Sequence, residues 1–321
     1  MTDNSIIATH TLAARIYLLP ALAAPYVVVI RRKPSKCYHI MLWNTQTDEI
    51  KYGAWFWGKI YAERSDLSPD GRHLVFFAYG NNGSIKTSVC APPMLKSIFM
   101  TQEVDAHLGG GFWQNDQYLS WNSPAIGKTP MHTEIEAMEQ KIKNYQLSFP
   151  IPAKDFQDYK QVQADLKKKK DELRKYLAEK RKLPFRIVPY TLEKSILDAR
   201  FERDGWIKQG VTPEAVRVGT DWVVENDPGW AMKPTSQHPT LHYYFKGYYP
   251  NEGHRHRFAL DEYPDLLNHG VVTWACWDCA GQLLVARDGA IEKYTLQSLR
   301  ENKPVFVFNM EHLSAPNNKK E

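Results

Sequence analysis

The clearest structural signal in this chain is the stretch Asp66-Leu-Ser-Pro-Asp-Gly-Arg-His-Leu-Val-Phe-Phe-Ala78. Apolar Leu67 leads into the Asp70-Gly71 turn, and an alternating, β-rich run from Leu74 to Ala78 follows it. An Asp-Gly pair between two such runs is one of the strongest short-range signals for a β-hairpin. The stretch therefore predicts two antiparallel strands joined by a tight turn.

Three weaker copies of this layout lie elsewhere, and they begin at Phe112, Phe201 and Trp277. Each has an apolar residue, a short polar turn that ends in Gly or Asp, and then a predicted strand. A turn-and-strand unit that recurs after tens of residues is typical of a β-propeller. About 240 residues remain for this fold once one insertion and the tails are set aside, which corresponds to five blades, or six.

The composition favours the same all-β class. The chain has 321 residues, of which 43% are hydrophobic and 12% aromatic, with 10 Trp and 17 Tyr. Aromatic residues are enriched in strands, so this profile suits many short strands better than a helical bundle. The length is enough to bury one or two cores.

The apolar period changes from two to three and four after about Thr133, which predicts helices. Thr133 and Glu136 fit a capping box at the start of the first helix, and Pro184 ends the second. We therefore predict an antiparallel, coiled-coil-like helical hairpin over residues 131–184. This hairpin is inserted in a propeller body formed by residues 1–130 and 185–321.

The segment Ser68-Pro-Asp-Gly-Arg-His-Leu-Val-Phe-Phe77, with the Gly80-Asn-Asn-Gly83 turn after it, resembles the TolB-type, WD40-like propeller repeat. The chain is also similar to bacterial propeller-like proteins. The resemblance implies a platform for binding other molecules rather than a particular chemistry, because propellers host both binding proteins and enzymes.

The positive charge of the chain is concentrated in the predicted hairpin. The whole chain carries 41 Lys and Arg against 36 Asp and Glu, a net of +5, and residues 133–182 alone hold 13 against 9, a net of +4. The run Lys167–Lys170, with Arg174 one turn later, interrupts the apolar stripe of the second helix. We predict that Lys167, Lys168, Lys169, Lys170 and Arg174 contact an acidic partner or phosphates.

A second basic cluster consists of Arg31, Arg32 and Lys33, with Lys36 close by, in the turn between two predicted strands. We predict that this cluster forms an exposed hairpin tip and belongs to the same partner-binding surface.

Two other groups of residues suggest metal chemistry, but an interpretation without a metal is favoured for both. Cys276 and Cys279 form a CxxC pair without the second pair that a structural zinc site needs, so they are interpreted as buried or turn thiols. His254 and His256 share a strand face and would need a converging carboxylate such as Asp261 to bind a metal. We therefore expect no metal, no cofactor and no catalytic residue.

The sequence thus favours a non-enzymatic propeller that acts as a protein-interaction subunit through its helical hairpin. The alternative is a nucleic-acid-associated accessory factor that uses the same basic residues. The third interpretation is a hydrolase with its site in the propeller channel, for which Asp66 and Asp198 are the nominated carboxylates.

Membrane insertion is not expected from this sequence. The apolar stretch from Leu12 to Ile30 contains Arg15 and is broken by Pro20 and Pro25, which is atypical of a signal peptide or a membrane helix. A cytoplasmic location is therefore the expectation.

Overall fold

The computed structural model describes residues 13–103, 108–123, 130–147, 151–152, 155–190, 194–249 and 253–316. Strands account for 42% of the chain and helices for 21%, so the fold is mostly β, as expected. The strands form sheets of seven, three, six and four members. The propeller arrangement and its number of blades stay predictions.

The first sheet runs in sequence order, and one sheet of the fold curls as a half-barrel. Its strands are β1 (Arg15–Pro20), β2 (Tyr26–Arg32), β3 (Cys37–Asn44), β4 (Glu49–Leu67), β5 (Leu74–Gly80), β6 (Ile85–Cys90) and β7 (Ser97–Gln102). The long strand β4 makes the sheet continuous, because residues 49–57 pair with β3 and residues 58–67 pair with β5.

The Asp-Gly turn between β4 and β5 confirms the hairpin predicted from the sequence. Leu67 pairs with Leu74, and the Ser68 hydroxyl donates to Oδ1 of Asp70 over 2.6 Å. Gly71 has a φ of 77°, and a Cβ there would lie 2.8 Å from the ring of Tyr26. The turn therefore requires glycine for both its backbone and its space.

The second sheet is interrupted by the two long helices. It contains β8 (Gly111–Asn115), β9 (Tyr118–Trp121) and β10 (Arg186–Pro189), in the order β10-β9-β8. Helices α1 (Pro130–Leu147) and α2 (Phe156–Arg181) lie between β9 and β10 in the chain. Strands β9 and β10 are parallel, and a parallel pair needs such a long connection.

Two further sheets complete the β structure. The six-stranded sheet contains β11 (Ile207–Lys208), β12 (Val216–Val218), β13 (Asp221–Val223), β14 (Trp230–Met232), β15 (Leu241–Tyr249) and β16 (Gly253–Leu260). The four-stranded sheet contains β17 (Val272–Trp277), β18 (Leu283–Arg287), β19 (Ala290–Tyr294) and β20 (Phe306–Asn309). The remaining helices are α3 (Ile196–Arg203), a 3-10 turn (Pro264–Leu267) and α4 (Leu296–Arg300).

One expectation from the sequence is wrong in detail. The copy of the hairpin layout at Phe201 is the end of helix α3, because Ser195 caps that helix and Ile196, Leu197 and Phe201 bury one face of it. The last strand, β20, pairs with β19, and its Phe306 stacks on Trp43 of the first sheet.

A buried ion cluster joins three of these parts. Asp66 lies at the end of β4 and is 1% exposed, and its Oδ2 accepts from the backbone nitrogen of Trp113 in β8 over 2.8 Å. Arg203 of α3 binds both carboxylate oxygens, and Nε of Arg200 lies 3.3 Å from Oδ1. Arg200 also donates to the carbonyls of Ala62 and Ser65. The cluster therefore fixes α3 against the first two sheets.

We expect Asp66→Asn to lower the free energy of unfolding by about 3 to 5 kcal/mol, because it leaves buried Arg200 without its counter-ion and Arg203 with Asp204 alone. Urea denaturation followed by circular dichroism measures the change. The control is Asp171→Asn, which breaks the exposed Asp171–Arg174 pair on α2 and should leave stability almost unchanged. Equal effects of the two substitutions would show that the Asp66 cluster does not hold the fold.

Candidate functional site

A cavity of about 550 Å³ lies where β4, the six-stranded sheet and the start of α3 meet. Its aromatic lining consists of Tyr61, Trp230, Tyr243, Phe245 and Tyr248. Its charged or titratable lining consists of Lys59, Glu63, Arg64, Asp198, Lys208, Asp227 and His256. The volume lies within the range of small-molecule sites, and an aromatic wall with a few converging polar groups is their usual composition.

Strand geometry explains how one wall of the cavity forms. Lys59, Tyr61 and Glu63 alternate along β4, so their side chains project to one face of the strand. On β15, a bulge between Phe245 and Gly247 shifts the register against β16. Such a bulge re-aims the side chains that follow it, so Tyr248 lines the cavity together with Tyr243 and Phe245.

The same bulge depends on a glycine. Gly247 has a φ of 119°, and a Cβ there would lie 2.0 Å from the carbonyl oxygen of Trp222. No other residue type fits this approach to β13, so Gly247 is required for the shape of the β15 wall.

Three residues of the cavity lining, Tyr243, His256 and Glu63, form a hydrogen-bonded row. The Tyr243 hydroxyl lies 2.8 Å from Nδ1 of His256, and Nε2 of His256 lies 3.3 Å from Oε1 of Glu63. Both ring nitrogens of His256 are thus engaged by protein groups. Burial, followed by the charges of Glu63, Asp198 and Asp227, raises the pKa of Tyr243 well above its usual value. The phenol therefore stays protonated, and the row is suited to holding His256 in one orientation.

Lys59 occupies the aromatic end of the cavity. Its Nζ lies 4.4 Å from the centre of the Tyr61 ring and 5.6 Å from that of Tyr248. Burial lowers the pKa of Lys59, and the charge of Glu63 opposes this shift. The ring faces therefore supply part of the stabilisation that water gives to an exposed ammonium group.

Asp227 is the least compensated charge in the cavity wall. The residue is 7% exposed, and its Oδ2 accepts from the backbone nitrogen of Phe245 over 2.7 Å. Its Oδ1 is buried and has no hydrogen-bond partner among the residues that the structure describes. A buried carboxylate oxygen without a partner is costly, so a donor that reached Asp227 from the cavity would be stabilised.

No protein family model, curated protein or solved structure matches this chain. The cavity and the predicted site residues therefore have to be interpreted from their own chemistry.

The lysine run on α2 is divided between two environments. Lys169 and Lys170 form ion pairs with Glu134 and Glu139 of α1, each over 2.7 Å. Lys167 and Lys168 are exposed, and Arg174 is exposed and pairs with Asp171 on its own helix. The predicted cationic band is thus partly neutralised by α1, which leaves Lys167 and Lys168 as its outward-facing charges.

The second basic cluster is not an exposed tip throughout, and the prediction is wrong for Arg31. Arg31 is 1% exposed, and its guanidinium donates to the carbonyls of Met310, Lys33 and Leu313, so it fastens the C-terminal segment to β2. Lys33 pairs with Glu311, and Arg32 donates to the carbonyl of Ser35 over 2.7 Å.

The groups considered for metal chemistry are dispersed. Cys276 is buried in β17, whereas Cys279 is exposed in the turn that follows, and burial raises the pKa of both thiols. The side chain of His254 lies outside the described residues. Within the described ranges, no three His, Cys, Asp or Glu side chains converge as metal ligands, and no helix has the length and apolarity to cross a membrane.

Of the two carboxylates nominated for a hydrolase, only Asp198 lines the cavity. Oδ2 of Asp198 lies 3.6 Å from Nζ of Lys208. Asp66 belongs to the buried ion cluster instead. Lys59, Glu63, Tyr243 and Asp227 are not among the site residues predicted from the sequence. The alternation of Lys59, Tyr61 and Glu63 at the period of a strand was the one signal that could have indicated a functional face.

We expect Asp227→Asn to raise the free energy of unfolding by about 1 kcal/mol, because the amide removes a buried, uncompensated charge and still accepts from Phe245. Asp227→Ala should lower it by about 1 to 3 kcal/mol, because the Phe245 nitrogen then loses its acceptor. Thermal and urea denaturation measure both. A loss of stability in Asp227→Asn as large as in Asp227→Ala would contradict this account of the carboxylate.

Proposed function

We propose that this protein binds a small organic molecule in the cavity beside α3. The observation that carries the proposal is the combination of five aromatic side chains with a buried, unpartnered carboxylate oxygen in one cavity of about 550 Å³. Aromatic rings provide contact area for an apolar body, and Asp227 provides a fixed point for its orientation.

Binding is favoured over hydrolysis by the state of the groups in the cavity. A general base needs a nitrogen or oxygen that is free to take a proton from the substrate. His256 has both ring nitrogens engaged, and Asp198 lies beside Lys208. These two groups hold the cavity wall in place. Asp227 keeps a free oxygen, but among the described residues no histidine or second carboxylate lies at hydrogen-bonding distance from it, so the hydrolase interpretation ranks below simple binding.

The test fills the cavity from its loop side. Thr212 lines the cavity and lies outside the strands and helices, whereas Thr220 is exposed and does not line it. Ligand-observed NMR with indole, phenol and 2-phenylethanol as probes should show binding to the natural chain and to Thr220→Trp. We expect Thr212→Trp to weaken binding at least fivefold, because the indole ring occupies the same space. Absence of binding of all three probes to the natural chain would refute the proposal.

A second candidate function is the one that the sequence suggested: the helices are a protein-interaction element of a propeller-like body. Its support is the pattern of contacts between α1 and α2. The C-terminal part of α1 contacts the start of α2 through Lys141 and Asp158, and Glu134 near its N-terminus reaches Lys169. This order of contacts is the one expected of an antiparallel hairpin. The exposed charges of Lys167 and Lys168 would then face a partner.

We expect Lys167→Glu combined with Lys168→Glu to reduce cross-linking of α2 to a native partner at least fivefold, because an acidic surface would be repelled. In vivo cross-linking followed by mass spectrometry measures this. The matched control, Lys175→Glu with Lys160→Glu, reverses the same amount of charge elsewhere on α2. Unchanged cross-links to α2 in the Lys167/Lys168 variant would contradict this function.

The same double substitution addresses the nucleic-acid alternative. The Glu134 and Glu139 pairs leave fewer cations for phosphate contacts, so this alternative ranks below a protein partner. A single-stranded 40-mer of DNA or RNA is the probe, with its affinity measured across a salt series. Tight binding whose salt dependence flattens in the Lys167/Lys168 variant would instead favour nucleic acid.

A further inference from the structure

The charges that line the cavity are unequally compensated. Oε1 of Glu63 lies 3.3 Å from Nε2 of His256. Oδ2 of Asp198 lies 3.6 Å from Nζ of Lys208. Asp227 has no cation within ion-pair distance among the described residues, and its one hydrogen bond comes from the neutral backbone of Phe245. Among the three described carboxylates of the lining, Asp227 is therefore the one with an unpartnered buried oxygen.

The surroundings of Asp227 suit a positive charge. Trp230, Tyr243 and Phe245 line the same cavity, and Trp230 already has Nζ of Lys208 at 5.3 Å from its ring centre. A second cation between these rings and Oδ1 of Asp227 would gain both a charge-assisted hydrogen bond and a cation–π contact. Burial is the main cause of the raised pKa of Tyr243, and the charges of three carboxylates add to it, which is consistent with a negative potential at this place.

The positive groups of the cavity are less suited to an anionic ligand. Lys59 lies over the rings of Tyr61 and Tyr248. Arg64 lies 5.2 Å from the ring centre of Phe77 and donates to the carbonyl of Leu108. Both cations thus already contact protein groups, and among the described residues neither has a buried polar atom without a hydrogen-bond partner, unlike Asp227.

We propose that the natural ligand of this cavity is an organic amine, with its protonated nitrogen on Oδ1 of Asp227 and its apolar body against the aromatic wall. This inference rests on the proposed function, because it names the chemical class of the molecule that the cavity holds.

The experiment uses three probes of similar size and different charge: 2-phenylethylamine, 2-phenylethanol and 3-phenylpropionate. Their affinities for the full chain are measured by calorimetry or NMR at neutral pH and low salt. The amine should bind at least tenfold more tightly than the alcohol, and the propionate should bind more weakly than the alcohol. Equal affinities of amine and alcohol, or tightest binding of the propionate, would overturn the inference.

The matched variant is Asp227→Asn, which keeps the acceptor for Phe245 and removes the charge. It should reduce the preference for the amine over the alcohol to less than threefold. Asp221→Asn removes one negative charge outside the cavity lining and should keep the tenfold preference. An Asp227→Asn variant that retains the full preference would also overturn the inference.

The two proposals fail in different ways. If none of the three probes binds to the natural chain, the cavity is not a ligand site and the proposed function itself fails. If they bind without regard to charge, the ligand site stands and only the assignment of an amine is wrong. The probe series on the natural chain gives this result even if Asp227→Asn does not fold.

Discussion

The carboxylate of Asp66 connects parts of the molecule that backbone pairing leaves separate. It sits at the end of the longest strand, accepts from Trp113 of the second sheet, and binds Arg200 and Arg203 of α3. A charge buried this deeply requires such partners, because desolvation would otherwise disfavour its ionised form. Helix α3 is held in place by this constraint, and its first turn carries Leu197 and Asp198 into the cavity wall. The shape of the candidate site therefore depends on an ion cluster that does not line it.

The buried carboxylate in the cavity wall, Asp227, differs from Asp66 in how its oxygens are paired. Asp66 has every oxygen satisfied by the protein, whereas Asp227 keeps one oxygen without a protein partner. The first arrangement stabilises the fold, and the second carries a cost in stability that a bound donor would offset. The contrast between two acidic residues of the same chain separates a carboxylate that holds the fold from one that we propose holds a ligand.

Much of the local structure was predictable from the sequence, because turns and periodicity are local properties. The Asp70-Gly71 turn, the strand at Tyr118–Trp121 and the helices between residues 131 and 184 follow from patterns within a few residues. The cavity was not predictable, since Glu63 and His256 meet only through packing of distant strands. The burial of Arg31 was missed for the same reason: its acceptors Met310 and Leu313 lie about 280 positions further along the chain. A basic residue in a turn gives no local sign of such partners.

The parallel pairing of β9 and β10 has a consequence for how this chain can change during evolution. After Trp121 the chain must return to the level of Tyr118 before β10 can begin, and α1 and α2 form that return path. The strand pairing fixes where the connection leaves β9 and where it enters β10. It does not fix the length of the two helices between them. The C-terminal end of α2 is held by Tyr176 and Leu183, which pack against a buried cluster that includes Phe99, Trp113 and Trp121. Helical turns can therefore be added to α1 and α2, or lost from them, without a change in strand register. This helical connection is the part of the fold most open to variation in length.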